Sequence, residues 1–154
     1  VKERTADGGE YGLVGWERCI RDRTIDDVDA VLAAGHLFDA PPTREWTRRF
    51  LERDGHHLVL AEEDGRALGF VSGMEITHPD KGTEMLLYEL GVDGAARRRG
   101  VGRALCEALA ERARAVGCYG MWVPMSTTNE AAAATYRAAG AQPAQEATIA
   151  VWEF

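Results

Sequence analysis

Tyr88-Glu89-Leu90-Gly91-Val92-Asp93-Gly94-Ala95-Ala96-Arg97-Arg98-Arg99-Gly100-Val101-Gly102-Arg103-Ala104-Leu105 is the stretch from which the rest of the chain is read. It predicts a strand, a turn, a basic glycine-rich loop and a helix. The strand, Met85 to Val92, is apolar with one embedded carboxylate, Glu89. The loop is Arg97-x-x-Gly100-x-Gly102. The helix runs from about Val101 to Val116, with Val101, Leu105, Ala108, Leu109 and Val116 along one stripe. A helix N-terminus offers free N–H groups and a partial positive charge. Glycines let the backbone approach a ligand, and arginines add fixed charge. Together these features suit a phosphate or pyrophosphate.

Two phosphate-binding patterns are excluded. No Lys-Ser or Lys-Thr follows the glycines, as G-x-x-x-x-G-K-[ST] would require. The dinucleotide pattern needs a third glycine at 105, where Leu stands. With 154 residues the chain has room for one domain with a core. Residues 1–16, with four glycines and no period, are expected to form a flexible leader, and 17–154 a single domain. The net charge of −7 argues against a nucleic-acid partner, because a phosphate backbone calls for a basic surface. The same charge suits a cationic substrate, though solubility alone also explains it. No apolar run reaches membrane-span length, so no membrane partner is expected. Cys19, Cys106 and Cys118 lack C-x-x-C spacing. They read as buried thiols in a reducing, cytoplasmic setting, with no metal site. His36, His56, His57 and His78 show no ligand spacing and read as loop and strand-edge residues; the tryptophans read mostly as core.

The flanking sequence supplies the other elements. Glu17 to Arg23 alternates like a strand. Thr24 caps a helix with Ile25, Val28, Val31 and Leu32 on one stripe, ending near Gly35. Pro41-Pro42 breaks the chain, and Thr43 caps a second helix carrying Trp46, Phe50 and Leu51. Between them, His36 to Ala40 forms an apolar and acidic loop of the kind that lines sites or packs on the core. His57 to Glu62 and Ala67 to Ile76 make a hairpin around Asp64-Gly65. After the long helix, Gly117 is a C-cap and Cys118 to Val123 a strand. Thr127, Thr128 or Asn129 caps an alanine-rich helix stopped by Gly140, and Ala147 to Phe154 reads as a last strand.

R-x-x-G-x-G after a strand ending L-x-V resembles the acetyl-CoA loop of the GCN5-related N-acetyltransferases. Gly69-Phe70-Val71 is similar to the family's third strand. Asn129-x-x-Ala132-x-x-Thr135-Tyr136-x-x-x-Gly140-Ala141 is similar to its N-x-x-A-x-x-L-Y-x-x-x-G-F helix, with Thr and Ala replacing Leu and the aromatic. The resemblance spans residues ~17 to 154 in order. It implies an α/β fold with a central mixed sheet flanked by helices, acetyl-CoA as co-substrate, and no metal. It places the pyrophosphate on the backbone from Arg98 through Arg99, Gly100, Val101 and Gly102 to Arg103, with charge from Arg97, Arg98, Arg99 and Arg103. Not all four arginines can face the ligand. The pantetheine arm would lie against Leu90, Gly91 and Val92, where this strand parts from the next one, and would meet Asn129. Gly91 also reads simply as relief of crowding. Tyr136 would protonate the departing thiolate, and Glu89 would take the proton of the attacking amine and hold its charge.

Within that family, Leu37-Phe38-Asp39, Tyr88-Glu89-Leu90-Gly91-Val92 and Glu153 look like the small aminoglycoside 3-N-acetyltransferases, with Glu replacing Asp and Gly replacing Ala in the strand. Asp39, Glu84, Glu89 and Glu153 would then bind a small cationic amine, with Glu75 adding to the acidic cleft. Acetylation of a peptide N-terminus, a lysine or a polyamine is the rival within the class. A non-catalytic acyl-CoA-binding module is the rival outside it. Many family members pair through their last strands, which leaves a homodimer as the guess for assembly.

Overall fold

The computed structural model describes residues 20–142 and 150–152. Five strands lie side by side in chain order: β1 (Ile20–Asp22), β2 (His56–Glu63), β3 (Arg66–His78), β4 (Gly82–Val92) and β5 (Met121–Trp122). The first four pair antiparallel, and β5 joins β4 in parallel. A parallel neighbour needs a crossover. It is made by α3 (Val101–Ala115), whereas α1 (Val28–Ala33) and α2 (Arg44–Leu51) precede β2 and α4 (Glu130–Ala138) follows β5. This is the mixed α/β sheet flanked by helices that the sequence predicts.

Strand alternation divides the core between the two faces of the sheet. Val59, Val71, Met85 and Leu87 pack with Val101, Leu105 and Leu109 of α3. On the other face, Leu58, Leu60 and Phe70 pack with Val31 and Ala34 of α1, and Leu37, Phe38 and Phe50 close over them. Two glycines of β3 let α3 settle onto the sheet. A Cβ on Gly69 would lie 3.0 Å from a Leu105 methyl, and one on Gly73 would lie 2.8 Å from a Leu109 methyl. The β2–β3 turn sets Asp64 at φ 51° and Gly65 at φ 76°, the pair of left-handed residues a two-residue hairpin turn favours.

The structure corrects several expected boundaries. The helix after Thr24 opens as a 3-10 turn, Ile25–Asp27, where the Asp27 carboxylate accepts the Thr24 N–H at 2.9 Å. The strand expected over 118–123 shrinks to Met121–Trp122. Cys118 N–H is still held by the Ala113 carbonyl at the end of α3, and Pro124 has no N–H to extend a ladder. Trp46 is 65% exposed, with the Arg49 guanidinium over its ring, and Trp122 and Trp152 are also exposed. His56 and His57 lie inside β2, and His57 is buried. Residues 1–16 of the expected leader, 17–19 of the first strand, Cys19 and most of the last strand lie outside the described residues. The described part of that tail, 150–152, has no regular structure.

Candidate functional site

β4 is covered along its whole length on one edge only. β5 pairs with it at Met85 and Leu86 and then leaves. Beyond Leu86 no strand among the described residues takes its place. Backbone parity shows which groups face that open edge. Met85 N–H points toward the β5 side, to the Gly120 carbonyl, and Asp93 N–H points toward β3, to the Leu68 carbonyl. Strict alternation cannot satisfy both. The register slips where Ser72 pairs with Glu89 while Gly73 pairs with Leu87, so Tyr88 is the extra residue of a bulge. After the bulge the N–H groups of Leu90 and Val92 turn to the open edge.

The bulge also sorts the side chains. Leu90 and Val92 reach Gly102 at the start of α3, while Gly91 faces the other side of the sheet against Phe70. Glu89 shares the face of Gly91 by alternation, opposite Leu90 as the sequence predicts. It is half-buried, and its pKa is raised above the ordinary carboxylate value, by burial first and by the nearby Asp39 charge second. Asp39 is exposed at the end of the loop that follows α1. Tyr88, beside Glu89 in the bulge, is exposed as well.

Gly91 has its own geometric reason. A Cβ there would lie 2.5 Å from the Phe70 ring and 2.7 Å from the Leu37 carbonyl oxygen. The missing side chain makes room for the loop that follows α1, the crowding alternative raised by the sequence.

The basic loop is open. Residues 97–100 are exposed, with Arg98 at φ 61° and Gly100 at φ 84°. Left-handed residues on either side of Arg99 turn the chain sharply into the start of α3. No side chain caps α3; its first internal bond is Ala104 N–H to Gly100 carbonyl, so the amides of Val101, Gly102 and Arg103 stay free of helical partners. This cradle fits a diphosphate. The four arginines divide. Arg99 donates from Nη2 to both Glu63 carboxylate oxygens at 2.7 and 3.0 Å, and Arg103 Nε donates to Glu107 at 2.7 Å. Arg97 and Arg98 have no ion-pair partner among the described residues.

α4 meets the start of α3 on the Leu90 side. A Cβ on Gly102 would lie 3.2 Å from the Thr135 methyl, 3.5 Å from Val92 and 3.8 Å from Leu90. Tyr136, next to Thr135, is half-buried against the core. Burial, with Cys106 beside it, raises its phenol pKa. The Cys106 thiol itself is buried and pushed up to about 12, so it stays protonated at neutral pH. Asn129 caps α4, its Oδ1 accepting the Ala132 N–H at 3.1 Å. That bond leaves its amide NH2 free to donate outward.

Two of the acidic residues expected near the substrate do not join Glu89. Glu84 lies five residues down β4, about 16 Å of extended chain, and accepts the Tyr119 hydroxyl at 2.8 Å. Glu75 is engaged by the buried His57 at 2.7 Å. Glu153 lies outside the described residues. Sequence reading missed Ser72, which is buried and paired across from Glu89, and the contacts of His36 and Arg66 with Asp93. Two open cavities of about 600 and 380 Å³ flank Arg66; neither is lined by Glu89 or Tyr136.

The model of the acetyltransferase (GNAT) family matches residues 24–141. A mycothiol acetyltransferase of Mycobacterium avium is 31% identical over 134 residues, covering 85% of this chain and 41% of that protein. The chain thus spans about two fifths of that relative. Among solved structures, an aminoglycoside acetyltransferase from an uncultured soil metagenomic sample superposes with TM-score 0.71 at 28% identity, covering 86% of this chain and 97% of that one. The aminoglycoside N-acetyltransferase AAC(6')-Iy in complex with CoA gives TM-score 0.71 at 20% identity, covering 86% and 93%. With its open β4 edge, its uncapped α3 and a family match over most of its length, the chain belongs to the acetyltransferase (GNAT) family.

Proposed function

We propose that the protein transfers the acetyl group of acetyl-CoA to a primary amine of a small polycation, an aminoglycoside above all. The observation that carries this reading is the free β4 edge at Leu90 and Val92, ending at the uncapped N-terminus of α3. An extended amide-bearing arm can pair with that edge as a strand would, while its diphosphate takes the amides of residues 98–103 and the guanidinium groups of Arg97 and Arg98. Acetyl-CoA supplies an activated acyl carbonyl. The N–H groups of Leu90 and Val92 polarise that carbonyl and stabilise the oxyanion.

Glu89 and Tyr136 serve opposite faces of β4. On one face, Glu89 and Asp39 attract the ammonium, and Glu89 takes its proton through a water. The neutral amine then forms the new C–N bond as the C–S bond breaks, and the nitrogen sheds its second proton to water as the amide forms. On the other face, Tyr136 gives its proton to the departing thiolate. Asn129 donates its free amide hydrogens to the arm. Two similar structures, an aminoglycoside acetyltransferase from a soil metagenome and AAC(6')-Iy in complex with CoA, support this reading.

Thiol release from acetyl-CoA tests it, with an amine panel of kanamycin, gentamicin, spermidine and a lysine-bearing peptide. Turnover is expected with the aminoglycosides. Turnover confined to the peptide or spermidine overturns the acceptor, and coenzyme A binding without turnover on any amine overturns the enzyme.

A further inference from the structure

The acceptor-side loop is fastened to β3 and to the end of β4 at three successive residues. The His36 Nε2 lies 3.2 Å from the Ala67 carbonyl and 3.4 Å from Asp93 Oδ2. Leu37 sets its carbonyl oxygen against Gly91. Phe38 stacks on Phe70, with ring centroids 4.1 Å apart at 24°. Asp39, whose charge Glu89 feels, comes next.

Asp93 is the shared node. Its Oδ1 accepts the Ala95 N–H at 2.8 Å and so holds the 3-10 turn Gly94–Ala96 that feeds the basic loop. Its Oδ2 accepts Arg66 at 2.7 Å. The carboxylate is only 12% exposed, and the Ala95 amide and then Arg66 hold its pKa down. Both neighbours of His36 Nε2 can only accept, so that nitrogen carries the hydrogen. The ring itself is 41% exposed, so it fills no core space and its contacts are its role.

We propose that His36 is a positioning residue that couples the acceptor-side loop to the coenzyme A loop through Asp93, so that filling one loop orders the other. The inference rests on the cofactor assignment above and goes beyond it. A diphosphate seated on residues 98–103 fixes the turn that Asp93 caps. The fixed carboxylate holds His36, and His36 holds Leu37 to Asp39 where the acceptor's charge is read. By linkage, acceptor binding tightens coenzyme A to the same degree.

Hydrogen exchange with coenzyme A alone tests the coupling without any acceptor. In the parent, saturating coenzyme A is expected to slow exchange in 98–103 and also in 37–40. In His36→Ala the first protection persists and the second falls at least about fivefold; His36→Gln, which keeps a donor at that distance from the backbone, restores it. Equal protection of 37–40 in His36→Ala, or none in a parent whose 98–103 segment is protected, overturns the coupling. Absence of protection at 98–103 in the parent instead overturns the cofactor reading beneath it.

Discussion

The pKa of Glu89 is raised above the ordinary carboxylate value, by burial first and by the Asp39 charge second. A carboxylate with a raised folded-state pKa makes the fold less stable above its titration range and costs nothing below the unfolded value. Glu89→Gln is therefore expected to melt at or slightly above the parent at pH 7–8, with the difference gone near pH 4. The same change should cut kcat/KM by about 10²–10⁴, as loss of a general base does. The deficit should narrow as pH rises toward ~10, where an aliphatic amine sheds its own proton; a pH-independent deficit would leave Glu89 as an anchor only. Tyr136 keeps its proton at neutral pH because burial, with Cys106, raises its phenol pKa. Tyr136→Phe should lower kcat about 10²-fold or more and leave coenzyme A affinity within about twofold, read by calorimetry beside steady-state kinetics. Glu89 was legible in the sequence as a carboxylate in an apolar strand, whereas Tyr136 was singled out by the likeness of its helix to the family's. Their opposite placement on β4 was legible only in part, since the sequence gives the parity of Glu89 and Leu90 but no distance to α4.

At the scale of the element, β4 and its loop divide the work. Gly91→Ala forces a methyl into the Phe70 ring and the Leu37 carbonyl. Overpacking of this kind costs about 1–3 kcal/mol, and chemical denaturation should show it together with a raised acceptor KM. In the loop, Arg98→Ala should raise the acetyl-CoA KM about tenfold, the scale of one charge-assisted bond. Arg103→Ala should raise it no more than about twofold, because Arg103 already serves Glu107. A larger loss at Arg103 than at Arg98 would reverse that division. The α3 stripe, the Asp64-Gly65 turn and the Thr43 cap are local signals that the structure places as read, and of the three candidate caps it is Asn129 that caps α4. The Tyr88 bulge gave no such signal. Met85-Leu86-Leu87-Tyr88 is apolar without alternation, so nothing in it marks the residue where the backbone parity flips. The shortness of β5 is likewise set by tertiary partners, chiefly the end of α3 and Thr83, not by its own composition.

Across the whole molecule, the order of elements was readable because each carried its own period, whereas long-range ties were not. Asp22, Arg112, His57 and Glu75 form one chain across β1, α3, β2 and β3, with contacts of 3.2, 3.2 and 2.7 Å. No spacing in the sequence brings those four together, so His57 was read as an edge residue when it is the buried link between helix and sheet. The net charge of −7 acts at this scale too. Turnover of a polycationic amine should fall steeply between ~0.05 and 0.5 M salt, as screening shortens from roughly 14 to 4 Å; flat salt dependence would reduce the charge to a solubility feature. The central claim is that coenzyme A lies along the free β4 edge with its diphosphate on the opening amides of α3. Backbone amide NMR during a coenzyme A titration tests it most directly. The largest shifts are expected at Leu90, Val92 and residues 98–103, saturating at micromolar ligand; no shifts at millimolar coenzyme A, or shifts confined to other parts of the sheet, would contradict the account.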